Sequence, residues 1–141
     1  MNFLKTTFIL LLLVTPVLSN SQTTFFDTTN EIKFENSSEE RVIEAKVSKN
    51  TFQLDIMINS VIQKGQISLE IIHPESGEIL GTFEIGNSES VKGNDKSMVK
   101  EIVRSDLNKV IKDPSPGIYV IKMVSNKAYA DMKIKLTHYS K

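Results

Sequence analysis

The 141-residue chain has 17 basic and 17 acidic residues, two histidines and no cysteine, and 40% of its residues are hydrophobic. A formal net charge of zero gives no electrostatic reason to expect nucleic acid as a partner. The absence of cysteine excludes disulfides and thiolate zinc sites, and the hydrophobic fraction is typical of a globular protein that buries a core.

The first 21 residues have the layout of a secretory signal peptide. Lys5 supplies a positive charge, residues 8–14 form a short apolar run, and small residues precede a cleavage point after Ser21. The apolar run is far shorter than the ~20 residues that span a bilayer, so we expect cleavage, with a retained anchor as the alternative. The sequence therefore predicts a secreted or periplasmic protein with no transmembrane segment after cleavage.

Residues 22–141 are predicted to form one domain. Hydrophobic positions in the segments 25–34 and 42–47 indicate that residues 22–49 supply edge strands. The remaining residues, 50–141, are expected to form the core of the domain.

Alternating hydrophobic residues indicate three strands before residue 86. Residues 52–59 and 66–72 alternate with period two, and a proline–glycine turn at 73–77 leads to a hairpin partner at 79–85. The side chains predicted to face the core are Phe52, Leu54, Ile56, Ile58, Ile67, Leu69, Ile71, Ile79, Phe83 and Ile85.

The polar residues 87–97 are expected to form a long exposed loop, whereas residues 98–112 are ambiguous. Hydrophobic residues four apart, between Val99 and Ile111, fit one face of a helix. The β-branched residues of this segment and the strands around it favour an irregular or bulged strand, and the helix remains the alternative.

The end of the chain contains two more predicted strands. A turn at 113–117 precedes the strand 118–124, and a short break at 125–127 separates it from the strand 129–138. Tyr119 is expected to pack in the core. Seven to eight short strands separated by turns predict an all-β, antiparallel β-sandwich of the jelly-roll or immunoglobulin-like kind.

No set of residues forms a convincing catalytic, metal or cofactor site. A zinc site needs about four converging ligands, and His73 and His138, both expected at the surface, are the only histidines. There is no Gly-x-Ser-x-Gly element, and Glu70 and Glu84, which could face each other on neighbouring strands, are of a kind that exposed strands often carry. We therefore expect no enzymatic activity.

A calcium site in the predicted loop is the remaining metal hypothesis. Asn87, Glu89, Asn94 and Asp95 could supply oxygen ligands. They lack the regular spacing of a calcium loop, so a solvated loop without bound metal is expected.

The turn that ends the segment 67–77, the Pro-x-x-Gly-x-Tyr run at 114–119 and the alternating final strand occur in a known family. With these features, residues 52–138 resemble the small exported bacterial β-sandwich domains of the pre-peptidase C-terminal type. The resemblance implies a jelly-roll-like accessory module that binds partners or supports secretion of an enzyme. The segments 116–122 and 133–136 are similar to C-terminal sorting domains that route proteins across the outer membrane of some Gram-negative bacteria.

These observations predict a binding or accessory domain at the bacterial envelope or outside the cell. A monomer with a protein or glycan partner is expected, and the N-terminal segment 22–36 offers a sheet edge to which an extended partner could add. The alternatives are an envelope sorting or assembly domain and a small hydrolase with an unrecognised carboxylate pair. The side chains expected to share one core are Ile56, Leu69, Phe83, Ile121 and Leu136.

Overall fold

The structure is a computed structural model that describes residues 23–86 and 102–141. All six strands pair antiparallel in one sheet of order β1-β6-β3-β4, in which β2 also pairs with β6 and β5 with β3. The fold is therefore all-β, as predicted. The strands are β1 (Thr24–Ser37), β2 (Glu40–Val47), β3 (Thr51–Ile72), β4 (Ile79–Gly86), β5 (Val103–Lys112) and β6 (Gly117–Ser140).

The two longest strands, β3 and β6, lie side by side along the whole sheet. The first part of β3 and the last part of β6 are flanked by β5 and β1, and we call these four segments the β1–β5 half. The other parts of β3 and β6 are flanked by β4 and β2 and form the β2–β4 half. Every outer strand therefore pairs with only one half of a long strand.

Both long strands carry one extra residue where the two halves meet. In β3 the buried side chains fall on even-numbered residues from Leu54 to Ile62 and on odd-numbered residues from Ile67. In β6 they change from odd to even between Ser125 and Ala128. Because side chains alternate with period two, each change requires a bulge, and the β3–β6 pairing shifts between Ile62 and Gln66.

Gly65 makes this junction possible. Its φ angle is +77°, a left-handed conformation that side chains with a Cβ rarely adopt. A Cβ at this position would lie within 2.7 Å of backbone atoms of Asn126, Lys127 and Ala128. The backbones of the two bulges are thus in direct contact, and this contact requires a residue without a Cβ at position 65.

Ser125 connects the same junction to the outer strands. Its hydroxyl donates to the carbonyl of Ser37 at 2.7 Å and accepts from the amide of Glu39 at 3.2 Å. Its own amide donates to the carbonyl of Glu39 at 2.9 Å. Since the side chain of Ser125 is 3% exposed, these bonds satisfy polar groups that would otherwise be buried without partners.

One hydrophobic core contains side chains from both halves. Ile56, Leu69 and Ile121 are fully buried, Leu136 is 2% exposed, and Phe83 packs against them, so the predicted core is confirmed. Side chains on one face of a sheet become fully buried only when a second layer covers that face. Among the described residues the facing half of the sheet supplies that layer, which gives a sandwich-like arrangement.

Six strands form where seven to eight were predicted, because two expected breaks lie inside continuous strands. The glycine at position 65 and the polar residues 125–127 produce bulges and not chain reversals. The strand interpretation is correct for residues 103–112, and the helix alternative is wrong there. This strand pairs with β3 without a register shift, so the expected irregularity is absent from the described residues.

Two predicted core residues lie outside the core. Phe52 is half-buried beside the ring of Tyr139, because the β3–β6 pairing shifts between Thr51 and Gln53. Ile79 is 50% exposed, because the β3–β4 pairing shifts between Ile71 and Ile72 and directs Leu80 towards the core instead. The predicted signal peptide, the loop 87–97 and the proposed calcium ligands lie outside the described residues. The described part of the chain contains no helix that is long and apolar enough to cross a membrane.

Candidate interaction surfaces

His73 is half-buried at the turn before β4, whereas a solvent-facing position was expected. Its Nδ1 accepts hydrogen bonds from the amides of Glu75 at 3.3 Å and Ser76 at 3.4 Å. Its ring meets the ring of Tyr119 edge-on, with 5.6 Å between the centroids. These contacts shape the turn, and His73 acts there as a structural residue.

Tyr119 is 1% exposed and packs in the core, as predicted. Burial raises the pKa of its hydroxyl, and hydrogen bonding to the backbone of Ser115 lowers that pKa in part. A buried phenol bonded to backbone a few residues upstream fixes the start of a strand, as in the tyrosine corners of sandwich folds. Tyr119 is therefore not a candidate for binding or catalysis.

His138 lies near the end of β6, far along that strand from Tyr119 and its neighbour His73. It is half-buried, and burial lowers the pKa of its imidazole. The ring of Phe26 lies next to it, with 6.3 Å between centroids. The two histidines do not converge, and the described residues contain no group of three or more His, Asp or Glu that could hold a metal ion.

The carboxylates of Glu70 and Glu84 do not face each other. Glu70 is paired with Thr82 on β4, whereas Glu84 is paired with Ser68. Glu84 accepts a 3.4 Å hydrogen bond from the side-chain amide of Gln66. The register therefore makes the two acids diagonal neighbours on one face of the sheet, offset by two residues along the strands.

The outer face of the β1–β5 half carries paired charges, and its exposed hydrophobic side chains are spread over β1, β3, β5 and β6 (Phe25, Met57, Val110 and Tyr129). Cross-strand ion pairs join Lys33 to Asp131 at 3.8 Å, Glu31 to Lys133 at 3.8 Å, and Asp27 to Lys135 at 2.9 Å. Part of this face forms a shallow depression of about 390 Å³. Exposed ion pairs add only about 0–1 kcal/mol each, so this face is best described as a solvated surface.

The outer face of the β2–β4 half is different, because it exposes aliphatic side chains. Val42 and Ile79 are 50% exposed, Ile118 is 44% exposed and Val124 is 40% exposed. Ile72 and Val120 lie among them and are half-buried. We call these six residues the aliphatic patch.

The strand register makes the aliphatic patch contiguous. Val120, Ile72 and Ile79 are direct neighbours on β6, β3 and β4. Ile118 is the next residue on the same face of β6, and Val42 on β2 lies diagonally from Val120. Directly opposite and diagonal side chains on one face of a sheet lie within about 8 Å, so the patch is a single apolar surface.

Acidic residues predominate around the aliphatic patch. Lys122 and Lys46 are its basic neighbours, and Lys122 forms a 3.1 Å ion pair with Glu40. Four glutamates against two lysines give the surface around the patch a net negative charge. The acidic residues on this face are Glu40, Glu44, Glu70 and Glu84.

Sequence reasoning did not identify the aliphatic patch, although a signal was present. Residues 118–121 are hydrophobic at every position, and the neighbouring pairs 71–72 and 79–80 are hydrophobic as well. A strand that is half solvated normally alternates, so consecutive hydrophobic residues indicate a second apolar face. Only the register shows that these outer residues are neighbours.

No protein-family model matches the chain, and no curated protein is significantly similar to it. The resemblance to pre-peptidase C-terminal domains therefore remains a prediction.

Three solved structures show limited similarity to this chain. A pilus structure from Bacillus endospore appendages shares 9% identity and a TM-score of 0.46, covering 86% of this chain and 93% of that chain. Dimeric latent PorU from Porphyromonas gingivalis shares 8% identity and a TM-score of 0.48, covering 83% of this chain but 13% of the PorU chain. The VP2 subviral particle of infectious bursal disease virus shares 11% identity and a TM-score of 0.41, covering 86% of this chain and 38% of that chain. Likenesses at this level carry no argument about function.

Proposed function

We propose that this chain is an exported, non-catalytic binding domain that docks a protein partner on the aliphatic patch. The observation that carries the proposal is the contrast between the two outer faces. On one face the exposed hydrophobic side chains are spread over four strands among three ion pairs, whereas the other face groups aliphatic side chains into one cluster. Leaving apolar surface in water costs about 25 cal/mol per Å², and grouped exposure of this kind is typical of interaction sites.

The chemistry of the aliphatic patch indicates which kind of partner it would bind. Its side chains are β-branched and aliphatic, without the flat aromatic platform that suits a sugar ring, so a protein surface fits better than a glycan. The acidic residues around it favour a partner whose own apolar surface is flanked by lysine or arginine. Such a partner would be attracted at low ionic strength and bound by apolar contact.

The signal-like N-terminus supports a secreted or periplasmic location for this domain. The hydrolase alternative would rest on Glu70 and Glu84, which are diagonal and not directly opposite on β3 and β4. The sorting or assembly alternative would use the same apolar contact with a cargo protein in place of a resident partner.

The proposal is tested by comparing two variants with matched exposure on opposite faces. Ile118→Glu places a charge in the aliphatic patch, whereas Met57→Glu does so on the outer face of the β1–β5 half, where Met57 is 43% exposed. A partner isolated from the envelope fraction should bind Ile118→Glu at least ~10-fold more weakly in titration calorimetry, because the variant replaces an apolar contact with a charge. Its affinity for Met57→Glu should be unchanged. Equal binding to Ile118→Glu and the unaltered protein would contradict the proposal.

A further inference from the structure

We propose that two copies of this chain associate by antiparallel pairing of β1 with β1, with Asn30 on the twofold axis. The contact continues the sheet of the β1–β5 half and does not involve the aliphatic patch. It therefore stands independently of the proposed function. It replaces the monomer expected from the sequence with a reversible symmetric dimer.

The outer edge of β1 is long and regular. Among the described strands, β1 pairs with β6 alone, and it lies at the end of the strand order. Its register is unbroken over residues 24–35, and the shift around Asn36 comes only at the end. β1 contains neither proline nor glycine. Proteins normally blunt such an edge with bulges, proline, short strands or charged side chains, and of these β1 has only charges over residues 24–35. A long regular edge whose charges can pair with those of a second copy is suited to strand addition.

The alternation of β1 restricts how two copies can pair. Its even-numbered residues face the core, as the buried side chain of Phe34 shows, and its odd-numbered residues face outwards. Opposite residues in an antiparallel pair project to the same side of the sheet. The cores of both copies therefore lie on one side only if the twofold axis passes through a residue and not between two residues.

Strand overlap and charge together select the axis at Asn30. An axis at Ile32 would also pair opposite charges, Glu31 with Lys33, but it would leave residues 24–26 without partners, so the Asn30 register is preferred. In that register Asp27 of each copy lies opposite Lys33 of the other, so two opposite-charge pairs form across the contact. Moving the axis one residue towards the N-terminus places Asp27 opposite Glu31. Moving it one residue towards the C-terminus places Asp27 opposite Glu35 and sets Glu31 against its own copy. Like charges directly opposite are destabilising, so both neighbouring registers are disfavoured.

The selected register also extends the ion pairs already present on the outer face. Lys33 is paired with Asp131, and Asp27 is paired with Lys135. Placing Asp27 beside Lys33 of the second copy makes the charges alternate in sign across four strands. An alternating row of this kind is favourable as a network, whereas a single exposed pair adds little.

The core-facing side of the contact is complementary as well. Phe26, which is 67% exposed, comes to lie opposite Phe34 of the second copy. Thr28 comes to lie opposite the half-buried Ile32 of the second copy. Because Phe34 is buried in its own core, the ring of Phe26 would lie over the edge of that core and would lose part of its exposed surface in the dimer.

The register is tested with single cysteines, because the natural chain contains none. In the proposed dimer the two residues at position 30 are directly opposite, with about 4.5–5.5 Å between Cα atoms, which suits a disulfide. The Asn30→Cys variant should therefore form disulfide-linked dimers when treated with oxidised glutathione. Thr28→Cys is the matched control on the same strand and face, and its two copies would be about 13 Å apart. Equal cross-linking of both variants, or of neither, would overturn the register.

The association itself is tested with complementary charge variants in sedimentation or light-scattering measurements. Lys33→Asp leaves two aspartates opposite each other at each pair, and Asp27→Lys leaves two lysines, so each variant alone should dimerise on the order of 10- to 100-fold more weakly. An equimolar mixture restores both opposite-charge pairs and should form a heterodimer with the affinity of the unaltered protein. Circular dichroism checks that each variant is folded. An unaltered protein that stays monomeric at high concentration, or a mixture no tighter than its components, would overturn the proposal.

Discussion

Leu69 has no exposed surface and belongs to the one core cluster, which contains side chains from both halves of the sheet. Replacing it with alanine removes buried methyl groups and leaves a cavity, so Leu69→Ala should lower the free energy of unfolding by about 2–5 kcal/mol. Urea denaturation measures the loss. Met57→Ala, at an exposed position of the same strand, should change it by less than about 0.5 kcal/mol. A similar small change at Leu69 would show that this side chain is not part of the core.

His138 gives the protein a stability that depends on pH. Burial lowers the pKa of its imidazole below the unfolded value of 6.5, so the unfolded chain binds this proton more readily. The contribution of His138 is therefore fully present above the unfolded pKa. It is lost as the pH falls through that value towards the lower pKa of the folded protein. The urea midpoint should decrease as the pH falls through this window, and His138→Gln should remove part of that decrease. An unchanged profile for that variant would assign the effect to other groups.

The junction in β3 illustrates how an element depends on one residue. Gly65→Ala would combine a left-handed backbone with a Cβ within 2.7 Å of backbone atoms of β6, and it should cost about 3 kcal/mol or more. Gly77 is the matched control, since its φ is also positive, at +68°, but a Cβ there would meet nothing within 4 Å. Gly77→Ala should cost only the backbone strain of about 1–2 kcal/mol. Equal urea midpoints for the two variants would contradict the backbone contact at the junction.

Alternation in the sequence was sufficient to predict most strands, because it depends on neighbours along the chain. The inward positions of Ile56, Leu69 and Leu136 follow from period two alone. Whether a glycine marks a turn or a bulge depends on which strand lies beside it. Gly65 was therefore assigned to a strand start, although the chain continues through it without reversing. The orientation of Ile79 was wrong for the same reason, since the pairing shift that turns it outwards involves another strand.

The interaction surfaces were less predictable than the strands. The edge position of the N-terminal segment could be anticipated from its composition, but its free length and register depend on pairing with β6. The aliphatic patch combines residues from β2, β3, β4 and β6 that are distant in sequence. Consecutive hydrophobic residues suggest a second apolar face, whereas their assembly into one surface is a property of the sheet.

At the scale of the whole molecule, β6 connects the sheet. It pairs with β1, β2 and β3, and its second part supplies buried residues such as Met132, Ile134 and Leu136. Because this strand comes last in the chain, the core cannot be completed until the C-terminal residues are present. Non-local pairing of this kind also makes folding slow compared with a helical protein.

Two deletions of equal length test this central role. Removing residues 128–141 takes away the pairing partner of both β1 and β3 and should abolish cooperative unfolding. Removing residues 24–37 takes away one outer strand with a single fully buried side chain, Phe34, and should leave a less stable protein with more residual sheet structure. Circular dichroism and urea denaturation of the two variants compare them directly. If the C-terminal deletion unfolds cooperatively with a midpoint at or above that of the N-terminal deletion, β6 is not the strand on which the core depends.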